Sequence, residues 1–173
     1  MKNIMKFICV LSCTAMFLMT CSCGSKNEKP MESSVMKSVS MYDLQKAMKD
    51  ADSSLPDMSY ASSSDENAAD LFTYVSELDY GKVDSYFLSY SSEGLADEIA
   101  VIAVKNENDV EAAEATLRDH AADRVKLYTQ YDPSQTSRAE NALIFTEKQY
   151  AVLIISNNQN DVKSAFESFI NQE

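Results

Sequence analysis

Two short stretches of this chain, residues 99–104 and 152–155, are apolar at every position. A strand with one wet face alternates apolar and polar side chains, so a strand that is apolar throughout needs cover on both faces. The chain must therefore build a sheet with helices over much of both sides. The remaining sequence has to supply those helices.

It does so in a legible order. Ser40 is a candidate N-cap with Asp43 in the first turn, and Met41, Leu44, Met48 and Ala51 recur at helical spacing, predicting a helix over 41–51. Pro56 breaks the chain. Ala68, Leu71, Phe72, Val75 and Leu78 then form a second helical stripe that Gly81 closes. Residues 83–90 and 99–104, separated by Ser91-Ser92-Glu93-Gly94, read as a β-hairpin. Asn108 as N-cap, with Glu111 three residues on, opens a long helix over 109–129 whose stripe is Val110, Leu117, Ala121, Val125 and Tyr128. Tyr131-Asp132-Pro133 stops it. Residues 142–146 and 150–155 flank the polar turn Glu147-Lys148-Gln149 and predict a second hairpin. A closing helix over 161–170 carries Val162, Phe166, Phe169 and Ile170 on one face. The expected class is α+β, an antiparallel four-stranded sheet packed by helices in the order α-α-β-β-α-β-β-α.

Cross-links cannot contribute to that fold, because Cys9, Cys13, Cys21 and Cys23 all lie in the first 23 residues. They belong to a leader: Lys2 and Lys6 precede a 13-residue uncharged apolar run, residues 7–19. Thirteen helical residues span only about 20 Å, short of a hydrocarbon core of about 30 Å, so cleavage fits better than retention as a transmembrane helix. Met19-Thr20-Cys21-Ser22-Cys23-Gly24-Ser25 resembles a bacterial lipobox. Cys23, with the small Ser22 before it, is the candidate lipidated residue, and Cys21 is the alternative. The expected organisation is a lipoprotein signal peptide over 1–22, a lipidated tether over 23–39 and a single α+β domain over 40–173. The tether assignment rests on Ser, Lys, Glu, Asn and Pro with only scattered apolar residues, too little to order itself. The expected address is the extracytoplasmic face of the cell membrane, with the membrane contacted through the N-terminal lipid.

Formal charge is −12; losing the leader removes two of the 15 basic residues, leaving 13 against 27 acidic ones, or −14. So acidic a domain repels phosphate backbones, which argues against nucleic acid as a partner. The inventory for catalysis is thin. His120 is the only histidine, no cysteine follows Cys23, and Gly-x-Ser-x-Gly is absent. No cofactor is implied, and no metal, because Cys and His clusters are missing and the acidic groups Asp65, Glu66, Asn67 and Asp70 and Glu107, Asn108, Asp109 and Glu111 lack the spacing of a calcium loop. His120, between Asp119 and Ala121, reads as a solvated surface residue. Asp97 and Glu98, as neighbours on a strand, should point to opposite faces, with at least one at a solvated edge. The candidate binding surface is Tyr86, Tyr90 and Asp97, since Tyr86, Leu88 and Tyr90 alternate onto one strand face and tyrosines suit peptide or glycan partners. The competing use of those tyrosines is padding beneath a helix.

Taken in order, Ser89-Tyr90-Ser91-Ser92-Glu93-Gly94, Ala96-Asp97-Glu98-Ile99-Ala100-Val101, Asn108-Asp109-Val110-Glu111, Tyr131-Asp132-Pro133 and Tyr150-Ala151-Val152-Leu153-Ile154-Ile155 resemble a bacterial lipoprotein family known only as domain of unknown function family 4358. The resemblance covers roughly residues 40–171 and departs at Ala103, where a longer residue is usual. It implies small lipoproteins of Gram-positive anaerobes and brings no activity, ligand or catalytic residue. The expected function is a non-catalytic, lipid-anchored binding or interaction module with an envelope protein, peptide or glycan partner. The alternatives are an envelope enzyme using carboxylate, Tyr or Ser groups, and an accessory subunit of an envelope assembly.

Overall fold

The computed structural model describes residues 39–171. The expected leader, Cys21 and Cys23, and nearly all of the expected tether lie outside the described residues. Five strands form one antiparallel sheet: β1 (Met58–Ser62), β2 (Val83–Ser91), β3 (Glu98–Val104), β4 (Leu143–Glu147) and β5 (Tyr150–Ile155), in the spatial order β1-β2-β3-β5-β4. Five α-helices accompany them: α1 (Met41–Asp50), α2 (Ala68–Phe72), α3 (Val110–Tyr131), α4 (Pro133–Glu140) and α5 (Gln159–Ile170). The class is α+β as expected, with both hairpins in place, but the sheet has five strands rather than four. The order is α-β-α-β-β-α-α-β-β-α.

The fully apolar strands are the centre of the sheet. β3 and β5 pair directly, from Glu98 opposite Ile155 to Ala103 opposite Tyr150, and every residue of both is buried. Side chains alternate between two separate cores. Tyr86, Leu88, Ala100, Ile102, Leu153 and Ile155 face α2 and α3, meeting Phe72, Ala113, Leu117 and Ala121. Phe87, Ile99, Val101, Ala103, Val152 and Ile154 face α1 and α5, meeting Leu44, Met48, Val162 and Phe166. Each fully buried Leu, Ile or Phe contributes roughly 1.5–3 kcal/mol of transfer free energy.

The helix ends follow their local chemistry. Ser40 Oγ accepts from the Asp43 amide at 3.3 Å and caps α1. Asn106, not Asn108, begins the next turn: its Oδ1 accepts from the Asn108 amide at 3.0 Å, opening a 3₁₀ turn (Glu107–Asp109) that runs into α3. Asp132 ends α3, and its Oδ1 accepts from the Ser134 amide at 3.2 Å to start α4, with Pro133 in the first helical position where its missing N–H costs nothing. The expected helix over 68–78 stops at Phe72, and turns carry Val75 into the core instead. Among the described residues no helix is long and apolar enough to cross a membrane.

Candidate functional site

The adjacent carboxylates Asp97 and Glu98 are both buried, at 1% and 2% exposure, where a solvated edge was expected. Buried charge is tolerated when it is paired, and each has its own cation from a different helix. Arg138 of α4 grips Asp97 through Nη1, at 2.5 Å to Oδ1 and 2.7 Å to Oδ2, and its Nη2 donates to Asn157 Oδ1 at 3.0 Å. Glu98 takes two partners from α3. His120 Nε2 donates to Oε1 at 2.6 Å, and Arg124 Nε stands 3.3 Å from Oε2, an ion pair without hydrogen-bond alignment. His120 is thus a half-hidden anchor and not the solvated residue expected, its side chain 16% exposed.

The α3 helix sets this geometry by spacing. Leu117, Ala121 and Tyr128 face the core, and His120 and Arg124, four residues apart, flank that stripe above the sheet. Arg124 Nη2 also donates to the Tyr128 hydroxyl at 2.8 Å, and that hydroxyl donates to the Leu95 carbonyl at 2.7 Å. The hairpin end that presents Asp97 and Glu98 is therefore bolted to α3. Gln135 Oε1 adds a bond from the Ala96 amide at 3.2 Å.

Above Glu98 lies a cleft of about 300 Å³ between α2 and α3, with Leu71 and Tyr74 on one wall, Leu88 and Tyr90 on another, and His120 and Arg124 at its base. It continues past Tyr74 into a wider depression of about 440 Å³ bordered by Glu77, Asp119, Asp123 and Leu127. Tyr74, Tyr90 and Leu127 are exposed, at 71%, 40% and 41%. An apolar hollow with a few fixed polar groups at its base is the common form of a small binding site.

Of the three candidate surface residues, only Tyr90 lines this cleft. Tyr86 is fully buried in the α3-side core, its hydroxyl donating to the Ala68 carbonyl at 2.7 Å, so it contributes no surface. Burial, then its neighbours Tyr80 and Asp65, push its pKa up to about 12. Asp97 is sequestered by Arg138 beneath a separate groove. Cys23 and Cys21 lie outside the described residues. Of the acidic residues weighed for metal, Asp65 accepts from the Ser62 amide at 2.7 Å and Asp109 pairs with Lys82 at 2.8 Å. Among the described residues no cluster of three or more His, Cys, Asp or Glu has metal-binding geometry.

The sequence reading missed Arg124, Arg138, Leu71 and the role of His120. One signal was available: His120 and Arg124 share a helix side at i, i+4 beside the Leu117–Ala121 stripe, a placement unusual for purely solvated groups.

No curated protein and no solved structure matches the chain. The family pattern described as Domain of unknown function (DUF4358) matches residues 57–156, from the residue before β1 to the one after β5, and so takes in the whole sheet, both buried carboxylates and their partners His120, Arg124 and Arg138. That is more than half of the chain, and the chain belongs to the DUF4358 family.

Proposed function

We propose that the protein is a lipid-anchored extracytoplasmic binding module whose tyrosine-walled cleft takes a large apolar side chain from a basic peptide segment of an envelope partner. The carrying observation is the cleft itself: Tyr74, Tyr90, Leu71 and Leu88 surround a base of His120, Glu98 and Arg124 that is already fixed by ion pairing. A pre-formed pocket of this size suits one aromatic or leucine side chain and loses little entropy on filling. Charge supports a basic partner, since Glu77, Asp119 and Asp123 border the adjoining depression and the whole chain carries −12.

Titration of the full chain in detergent with lysine-flanked Phe and Leu peptides tests this reading. Binding should saturate, weaken with salt and disappear in Leu71→Asp. Equal binding by Leu71→Asp would sink it. The lipid anchor is tested separately by intact mass and detergent partitioning. Cys23→Ala should lose the diacylglycerol mass and leave the detergent phase while Cys21→Ala keeps both; an unlipidated wild type would overturn the anchor.

A second reading, an envelope enzyme, is favoured by the His120–Glu98 pair, because a buried carboxylate that fixes an imidazole is the usual support of a general base. It predicts turnover that His120→Gln abolishes.

A further inference from the structure

A second depression lies on the α4 side of the molecule, independent of the tyrosine cleft. Its volume is about 560 Å³ and every residue lining it is of a polar type. The α4 helix and the residue after it bring Ser134, Ser137, Arg138 and Asn141 to one wall; the turn from β5 into α5 brings Ser156, Asn157 and Gln159 to the other.

Three features set this groove apart from ordinary wet surface. Ser156 is 6% exposed, yet its Oγ has no hydrogen-bond partner, an unmet demand for a buried polar atom. Arg138 is immobilised from behind by the two bonds to Asp97 and from the side by Asn157. The first turn of α5 is also free of a side-chain cap, because the Asn158 side chain donates to Asp52 Oδ1 at 2.8 Å instead.

We infer that this groove is a binding site for a neutral, hydroxyl-rich ligand, a short oligosaccharide segment. The side chains decide the class. The Ser134 hydroxyl and the Asn141, Asn157 and Gln159 amide nitrogens already donate within the protein, so the groove meets a ligand with the Ser137 and Ser156 hydroxyls and with acceptor oxygens, a set that suits sugar hydroxyls. An anion is the rival for a helix start beside an arginine. Here the Arg138 charge is already offset by Asp97, Asp161 sits in the first turn of α5, and the chain carries −12, so net charge favours the uncharged ligand.

Calorimetric titration of the full chain in detergent with triacetylchitotriose, maltotriose and inorganic phosphate tests the assignment, wild type beside Ser156→Ala and Ser137→Trp. Ser156→Ala removes a hydroxyl that has no partner, and Ser137 is exposed, so both variants should keep the wild-type circular dichroism. Expected are saturable binding of at least one trisaccharide, about fivefold weakening in Ser156→Ala for one lost hydrogen bond, and loss of binding in Ser137→Trp. No trisaccharide binding at millimolar concentration, binding of phosphate alone, or trisaccharide binding that neither variant alters would each overturn the proposal. Peptide binding at the tyrosine cleft should be unaffected by both variants, so the two sites fail or stand separately.

Discussion

His120 and Glu98 meet at 2.6 Å although 22 positions separate them, and the carboxylate that joins them is 3% exposed while the imidazole reaches the cleft. One buried acid thus aims both His120 and Arg124 at the base of the same hollow. Glu98→Ala should strand the partly buried Arg124 and leave the His120 ring without its acceptor, and cost about 3 kcal/mol. Glu98→Gln keeps an acceptor oxygen and should cost about half as much. Urea unfolding at neutral pH measures both, and equal stability of Glu98→Ala with wild type would refute the anchoring role.

Acid sensitivity should concentrate at Asp52. Burial opposes its ionisation, but hydrogen bonds from the side chains and backbone amides of Ser54 and Asn158 outweigh it and hold the carboxyl well below the usual carboxylate range. Such a group adds stability wherever the unfolded carboxyl is ionised, above about pH 4, and that stability is lost as pH falls toward the folded value. Asp52→Asn should cost about 2 kcal/mol at pH 7 and progressively less below pH 4. Thermal melts of both proteins between pH 7 and 2 should converge at the acid end.

Tyr86 offers a spectroscopic check on the core. With its pKa pushed up to about 12, it should give a late step in absorbance at high pH. Its unfolded form ionises near pH 10, so its contribution holds below that pH and is lost as pH rises toward 12. Tyr86→Phe should remove the late step and cost about 1 kcal/mol through the bond lost to the Ala68 carbonyl.

Gly94 stands at φ +79° in the β2–β3 connection, with no atom within 4 Å of where a Cβ would sit. Gly94→Ala therefore meets only conformational strain, an expected loss of about 1 kcal/mol. A larger loss would mean that the Tyr128 bond to the Gly94 carbonyl at 3.1 Å had also been displaced.

The sheet centre was readable because β3 and β5 are apolar without interruption, a pattern with few other solutions. β1 was not: Met-Ser-Tyr-Ala-Ser is short, half polar, and lies soon after Pro56, as an edge strand can afford to be. α4 escaped because Ala139 is its only buried residue, so no periodicity marks it. Asp97 and Glu98 take separate partners, but Asp97 precedes the first residue of β3, where strand alternation says little. Their burial depends on cations arriving from α3 and α4, up to 41 positions away, which no nearby residue announces.

The pairing of β3 with β5 also governs how the chain can be assembled. The β2–β3 hairpin closes early, since its strands are neighbours in sequence, but the open edge of β3 waits for a partner that comes only after α3, α4 and β4. Until then Ile99, Val101 and the rest of an uncharged, β-branched-rich segment present unpaired amides and carbonyls, the composition that stacks into fibres. A chain truncated before Tyr150 should accordingly self-associate through that edge, and the β4–β5 hairpin acts as the built-in guard against it.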